Sequence, residues 1–410
     1  MMRSNTGSGF ESSPIRRIHD WCIGTFLRFD YEGPTTGRGM ADRESRPRPR
    51  PQRPLGTRPE GPRDRWDPPV RHEQGWAIPA KLGQRLYEKS KLGQRLDDGR
   101  VVLSPEEVLF CHWNRHLSLP SEHWLEESLA QQPDLLQRAV ILDVARSGGE
   151  VLVLNSADSV ASDGWGLRWS RHDKPPAPPV ANADWASSGL QVDWPRLLKQ
   201  VMNDDDQGLL TERYIIDEEL DVTMYHVHPV NFSGALTPWQ DLTDEVRTNL
   251  EQAWTAQVPC GEGVRLPLIG QAWPWPQVGT THASGRQLNA EETAIFAHVV
   301  DGASLTEVAE KAHALMSLGI MLRPGFKYGC RWRAYDDDVD VTHAPWLVQT
   351  EDRRPVSWEE VCLAVRLAEG VNKIWVTEVD GQWLAVRRAL PGRPAQPRHV
   401  GRSASPTGQA

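Results

Sequence analysis

The chain has 410 residues, enough for two to four compact units, and its 39% hydrophobic and 25% charged residues are those of an ordinary globular protein diluted by irregular segments. A formal net charge of −9 excludes a simple basic nucleic-acid binder, so any contact with RNA must rest on local arginines and on shape. The five cysteines (Cys22, Cys111, Cys260, Cys330, Cys362) form no C-x-x-C pair, which excludes a zinc ribbon or redox motif and suits reduced thiols in the cytoplasm.

No apolar run approaches the roughly 18–20 residues of a membrane span, and MMRSNTGSGFESSPIRRIHDW lacks the apolar core of a signal peptide. Residues 1–75 read as a disordered arm, because RESRPRPRPQRPLGTRPEGPRDRWDPP is proline- and arginine-rich without an apolar period. The arm is either a solvated tail or a basic strap that touches RNA phosphates. Met40, opening MADRES, is an alternative start to Met1. Order begins near Trp76. KLGQRL occurs at 81–86 and again at 91–96, flanking LYEKS, and reads as a local duplication. Ser104-Pro105-Glu106-Glu107 supplies a cap serine, a proline at the first helical position and a glutamate three after the cap. A second helix, LLQRAVILDVARSGG, stops at Gly148-Gly149, and GEVLVL follows as a strand. The 18 tryptophans are spread as core or interface anchors are.

The same order then recurs. Leu288-Asn289-Ala290-Glu291-Glu292 repeats Leu103-Ser104-Pro105-Glu106-Glu107, and Ser304 to Glu307 caps a helix, SLTEVAEKAHALMSLG, that ends at Gly319. RYIIDEELDVTMYHV in the first half matches KIWVTEVDGQWLAV in the second. This reads as an internal duplication in an α/β (α+β) chain, each repeat a small helical or mixed front followed by a strand-rich back. The expected units are a 1–75 arm, a first-repeat front at 76–165, its degenerate back at 166–232, a linker and second front at 233–324, a second back at 325–390, and a basic tail at 391–410.

The second back carries the chemistry. FKYGCRWRAY alternates large and polar residues as a strand does, and Tyr335 ends it. DDDVDV forms a loop that His343 closes before the strand PWLVQT. Ser357-Trp358-Glu359-Glu360 reads as another capping box, opening a helix with Val361, Ala364, Val365 and Ala368 on one face. Gly370 stops it and Lys373 enters the strand KIWVTEV. A tyrosine, a histidine and a lysine thus fall at strand ends, where a rigid sheet holds catalytic groups.

Gly325-Phe326-Lys327-Tyr328-Gly329, Tyr335, His343 before Trp346-Leu347-Val348, and Arg366-Leu367-Ala368 leading to Lys373 closely resemble the catalytic domain of the tRNA-splicing endonucleases, above all the archaeal two-repeat homodimeric type. The resemblance is dense over roughly 60 residues, traceable over both halves, and absent from residues 1–75; the acidic loop between Tyr335 and His343 departs most from it. It implies a restriction-endonuclease-like mixed sheet in each back, and a cytoplasmic enzyme that cuts precursor tRNA at a bulge-helix-bulge, needing no cofactor or metal. In that role Tyr335 removes a ribose 2′-OH proton, His343 protonates the leaving 5′ oxygen, and Lys373 favours the phenolate and stabilises charge on phosphorus, leaving 2′,3′-cyclic phosphate and 5′-OH ends.

It further implies that Arg366 and Arg388 (Arg387 as the alternative) clamp a flipped-out base by stacking. The segment Asp217-Glu218-Glu219-Leu220-Asp221 is either a solvated hairpin turn or, as the resemblance implies, an acidic loop docking on a partner copy in a homodimer. Aligning Asp217 with Asp380 sets Leu210 opposite Lys373, so the first repeat lacks the reaction's cation. His226 and His228 read as strand residues; His112 and His116 have helical metal-site spacing but no third ligand. The alternatives are a non-catalytic RNA-binding subunit of such an enzyme and a metal-dependent nuclease on a similar sheet.

Overall fold

The computed structural model describes residues 66–155, 164–267, 273–282 and 285–391; the arm up to residue 65, with Cys22 and Met40, and the tail from 392 lie outside these. Trp66 bridges Leu117, and β1 (Val70–His72) pairs with β2 (Gly75–Ile78), so strand structure begins inside the segment read as an arm. One front contains these strands, α1 (Ala80–Ser90), β3 (Gln94–Arg95), β4 (Val101–Leu103), α2 (Pro105–Arg115), α3 (Trp124–Gln131) and α4 (Leu135–Arg146), with sheet order β1-β2-β4-β3. The two KLGQRL copies take different structures. The first lies in α1, whereas the second begins at Lys91 (φ 52) and turns through Gly93 (φ 73), where a Cβ would stand 2.5 Å from the Val101 side chain. Ser104 and Glu107 form the reciprocal capping box.

A ten-stranded sheet follows from β5 (Val151–Leu154), β6 (Gly166–Trp169), β7 (Ala181–Ser187), helix α5 (Trp194–Asp206), β8 (Leu210–Ile216) and β9 (Val222–Pro229). A second front has α6 (Asp244–Thr255), β10 (Val258–Cys260), β11 (Gly263–Pro267), β12 (Thr280–His282), β13 (Gly285–Leu288), α7 (Ala290–Asp301) and α8 (Glu307–Ser317). Asn289 and Glu292 cap α7 reciprocally; Thr306 caps α8, its hydroxyl accepting from the Ala309 amide, where Ser304 was expected. The sheet is completed by β14 (Met321–Pro324), β15 (Trp332–Tyr335), β16 (Trp346–Gln349), helix α9 (Trp358–Glu369), β17 (Ile374–Val379) and β18 (Gln382–Ala389). Its order, β14-β15-β16-β17-β18-β9-β8-β7-β6-β5, reads alike from either edge, with one parallel pair in each run, β16 with β17 and β7 with β8.

Alternation assigns the two faces of the central strands. Trp375, Leu384 and Val386 pack with Trp194, Leu197 and Val201 of α5 and Val361, Val365 and Ala368 of α9, while Val376 and Ala385 face the core of the second front. The two runs are also joined off the sheet: Trp194 Nε1 donates to Pro355 O at 2.9 Å, and the Trp358 amide to Leu190 O at 3.1 Å.

Several local expectations need correction. FKYGCRWRAY is not one strand. Phe326–Tyr328 is a single 3₁₀ turn closed by Gly329 at φ 67, and only Trp332–Tyr335 is extended. Ser357 accepts from the Glu360 amide, but the Glu360 carboxylate accepts from the Val356 amide rather than from that of Ser357, so the box is incomplete. Gly370 keeps a right-handed backbone, and the chain reverses at Asn372, φ 55. The ladders pair Ala181 with Leu210 and Trp346 with Ile374, so Leu210 stands at the level of Ile374, and Leu209 precedes it as Lys373 precedes Ile374. Aligning by the hairpin turns misses this because β8 has 7 residues and β17 has 6.

Candidate active site

The rim of the sheet where β15 ends and the parallel pair β16–β17 begins gathers the chemistry-bearing residues. Tyr335 closes β15, opposite Met321 of β14. The residue is 4% exposed and packs with Met321, Ala344 and Leu236. Leu236 comes from the segment between β9 and α6, which crosses this rim closely: Ala235 N donates to Asp336 O at 2.8 Å, and a Cβ on Gly234 would lie 2.1 Å from Gly319 O. Such an approach admits only glycine. The Tyr335 hydroxyl accepts a hydrogen bond from Arg333 Nη1 at 3.0 Å.

His343 is exposed at the end of the acidic loop, which turns on itself through the Val341 and Thr342 amides donating to Asp338 O. Lys373 stands just before β17. Its Nζ donates to Ala344 O at 2.6 Å, which ties the ammonium to the residue following His343. Burial, and then the charge of Arg333, hold the Lys373 ammonium below the usual lysine range. Lys373 and His343 line one cavity of about 600 Å³ with Asp336, Asn372, Arg387 and Arg388. Burial depresses the Arg387 guanidinium, against the opposing charge of Glu369.

A second cavity of about 490 Å³ lies alongside. Arg366, Arg388, Tyr225, Cys362, Asp217 and Asp221 are among its lining residues, and Val365, Glu369 and Arg388 are common to both cavities. Glu369 fixes the spacing between α9 and β18, its Oε1 accepting from the Arg388 amide at 3.0 Å. The two expected arginines are therefore brought together, and Arg387 faces the cavity of Lys373 instead. The acidic segment is a tight turn: Asp217 accepts from the amides of Glu219 and Asp221, each at 2.9 Å, and Leu220 has φ 66. Glu218 and Glu219 are exposed, and burial with the nearby Asp217 and Glu219 raises the Asp221 carboxyl above its usual range.

At the corresponding levels of the other run stand Trp169, which pairs with Val151 as Tyr335 pairs with Met321, and Leu209. Neither carries a proton-transfer group or a cation. That run instead buries an ionic cluster, in which Arg168 binds Glu212 and Glu150 and His226 Nε2 lies 3.2 Å from Glu212. His226 pairs across the central ladder with Arg387. The His112 ring nitrogen is engaged with Leu117 O at 2.9 Å, and no group of three His, Cys, Asp or Glu among the described residues is placed to hold a metal. Arg333 had no place among the residues expected from sequence, although its position two before Tyr335 puts both on one face of β15.

Residues 312–381 match the family described as tRNA intron endonuclease, catalytic C-terminal domain. The chain is 33% identical over 89 residues to a tRNA-splicing endonuclease of Thermoplasma volcanium, covering 21% of this chain and 30% of that protein. It is 38% identical over 66 residues to a tRNA-splicing endonuclease of Methanopyrus kandleri, covering 16% of this chain and 37% of that protein. The similarity thus spans well under two thirds of either relative.

Proposed function

We propose that this chain, whose residues 312–381 belong to the tRNA intron endonuclease catalytic-domain family, cleaves precursor tRNA at intron boundaries within a bulge-helix-bulge. The observation that carries this reading is the shared cavity of His343 and Lys373 at the sheet rim where Tyr335 ends β15, all three inside the matched residues.

In the proposed reaction Tyr335, as its phenolate, accepts the proton of the ribose 2′-OH at the cleavage site and becomes the neutral phenol. The 2′ oxygen attacks the adjacent phosphorus as the bond to the 5′ oxygen breaks. His343 gives a proton to that leaving oxygen, the general-acid role to which an imidazole is suited. Lys373, fixed through Ala344 O, stabilises the extra negative charge on the five-coordinate phosphorus. The products are a 2′,3′-cyclic phosphate and a 5′-hydroxyl. Proton removal, proton delivery and charge stabilisation are each assigned to a side chain, so the reaction is proposed to run without a metal ion.

Substrate recognition is assigned to the adjoining cavity, where the Arg366 and Arg388 planes stack on an unpaired base. The two five-strand runs are read as copies of one unit, the first degenerate because Trp169 and Leu209 replace Tyr335 and Lys373. The Asp217, Glu218, Glu219 and Asp221 turn is assigned to a docking contact in a homodimer, and the enzyme to the cytoplasm. Single-turnover cleavage of a bulge-helix-bulge RNA by His343→Ala tests the assignment. A rate reduced about 10²- to 10⁴-fold is expected for loss of a general acid, and full activity in that variant defeats it.

A further inference from the structure

We propose that Arg333 is a positioning residue for Tyr335, its guanidinium holding the phenol oxygen in the orientation from which it exchanges a proton with the substrate. The inference rests on the assignment of Tyr335 as the base.

Arg333 and Tyr335 share one face of β15. The guanidinium is fastened at two points: Nη1 donates to the Tyr335 hydroxyl at 3.0 Å, and Nε donates to Pro324 O at 3.2 Å. Its carbon also lies 5.8 Å from the centroid of the Tyr335 ring. A phenol oxygen has one proton and two lone pairs. A donor held on one lone pair therefore restricts where the proton and the remaining lone pair can point. Met321, Ala344 and Leu236 pack the Tyr335 side chain with apolar groups.

Arg333 also lacks the usual structural reason for an arginine on a strand. In a chain of net charge −9, it has no carboxylate within ion-pair distance among the described residues. Its neighbours differ: Arg323, opposite it on β14, binds Glu292 at 2.8 Å, and Arg331 binds Asp352 at 2.5 Å. The charge of Arg333 reaches Lys373, adding to the burial that depresses that ammonium.

The test compares wild type, Arg333→Gln, Tyr335→Phe and the double variant in single-turnover cleavage at saturating RNA, with the Kd of uncleaved RNA measured in parallel. A hydrogen bond from a charged donor predicts that Arg333→Gln slows cleavage about 10- to 100-fold at saturation. The Kd is expected to stay within about twofold, and the same substitution in the Tyr335→Phe background to cost less than about twofold. Arg333→Lys, which keeps a donor and the strand's charge, is expected to recover part of the rate and serves if the glutamine variant does not fold. An equal cost with and without the Tyr335 hydroxyl overturns the proposal, as does a raised Kd with an unchanged saturated rate, which marks a phosphate contact. Full activity in Tyr335→Phe alone is a separate result, and it removes the base assignment instead.

Discussion

Arg168→Met is expected to be among the most damaging substitutions in the first run, although it lies far in sequence from the residues proposed to act in cleavage. Arg168 forks onto Glu212, with Nε to Oε2 at 2.7 Å and Nη2 to Oε1 at 2.5 Å, and reaches Glu150 at 2.5 Å. The side chains are 6%, 0% and 7% exposed, respectively. Burial opposes ionisation of Glu212, but its hydrogen bond to His226 and the charge and hydrogen bonds of Arg168 outweigh it, leaving the carboxyl below its usual range. Removing Arg168 takes the guanidinium from two buried carboxylates, Glu150 and Glu212, and leaves Glu212 with His226 and Tyr214 as its partners among the described residues. Breaking one side of such a pair costs about 3–5 kcal/mol. At roughly 2–4 °C per kcal/mol for domains of 150–250 residues, and less in a larger unit, Tm should fall by on the order of 5–10 °C.

The pH dependence follows from the sign of the Glu212 shift. Its folded pKa is depressed, so its contribution is complete above the unfolded value of about 4.3 and is lost as pH falls through the folded value. The deficit of Arg168→Met against wild type depends on the folded-state Glu212 carboxyl, held low by Arg168 and pushed up by burial without it, so it should be widest near neutral pH and narrow as pH falls through the carboxylate range. Adding Glu212→Gln should restore part of the loss. Scanning calorimetry from about pH 3.5 to about pH 7 reads all three. A loss under about 1 kcal/mol, the value of an exposed pair, or a deficit that does not change with pH, refutes the reasoning.

Three further outcomes are expected. The depressed Lys373 ammonium loses its charge as pH rises through its lowered pKa, so the ratio of wild-type to Lys373→Arg cleavage rates should fall at alkaline pH, beginning below the ordinary lysine value of about 10.4; a flat ratio contradicts it. Arg366→Ala should weaken binding of a bulged RNA by about 1–3 kcal/mol, as a lost stacking partner does, in a filter-binding or fluorescence titration, and unchanged affinity argues against the clamp. Reversing charge at Glu218 and Glu219, both exposed on the turn after β8, should convert a dimer to a monomer by light scattering, and an unchanged mass removes the docking role.

Much of the architecture was legible where local chemistry decides local structure. The boxes at Ser104 and Asn289 cap the helices their spacing predicts, and the face of Val361, Val365 and Ala368 is the buried one. Where tertiary contacts decide, sequence was a poorer guide. The alternation in FKYGCRWRAY suggested one strand, but Gly325 sits against Cys330, its Cβ position 2.4 Å from the sulfur, and the chain must turn there. The level of Leu209 against Lys373 follows from hydrogen-bonded register, which the one-residue difference in length between β8 and β17 conceals. KLGQRL takes two conformations because its neighbours differ, not its residues. Arg333 was missed because nothing in a strand's alternation separates an arginine that binds a carboxylate from one that binds a tyrosine.

The most direct test of the proposed activity is end-group analysis of the RNA fragments formed when the purified chain is incubated with a bulge-helix-bulge RNA in the presence of EDTA. The account predicts two cuts at the bulges, each leaving a 2′,3′-cyclic phosphate and a 5′-hydroxyl. Fragments with 3′-hydroxyl and 5′-phosphate ends, or cleavage abolished by the chelator, would contradict it.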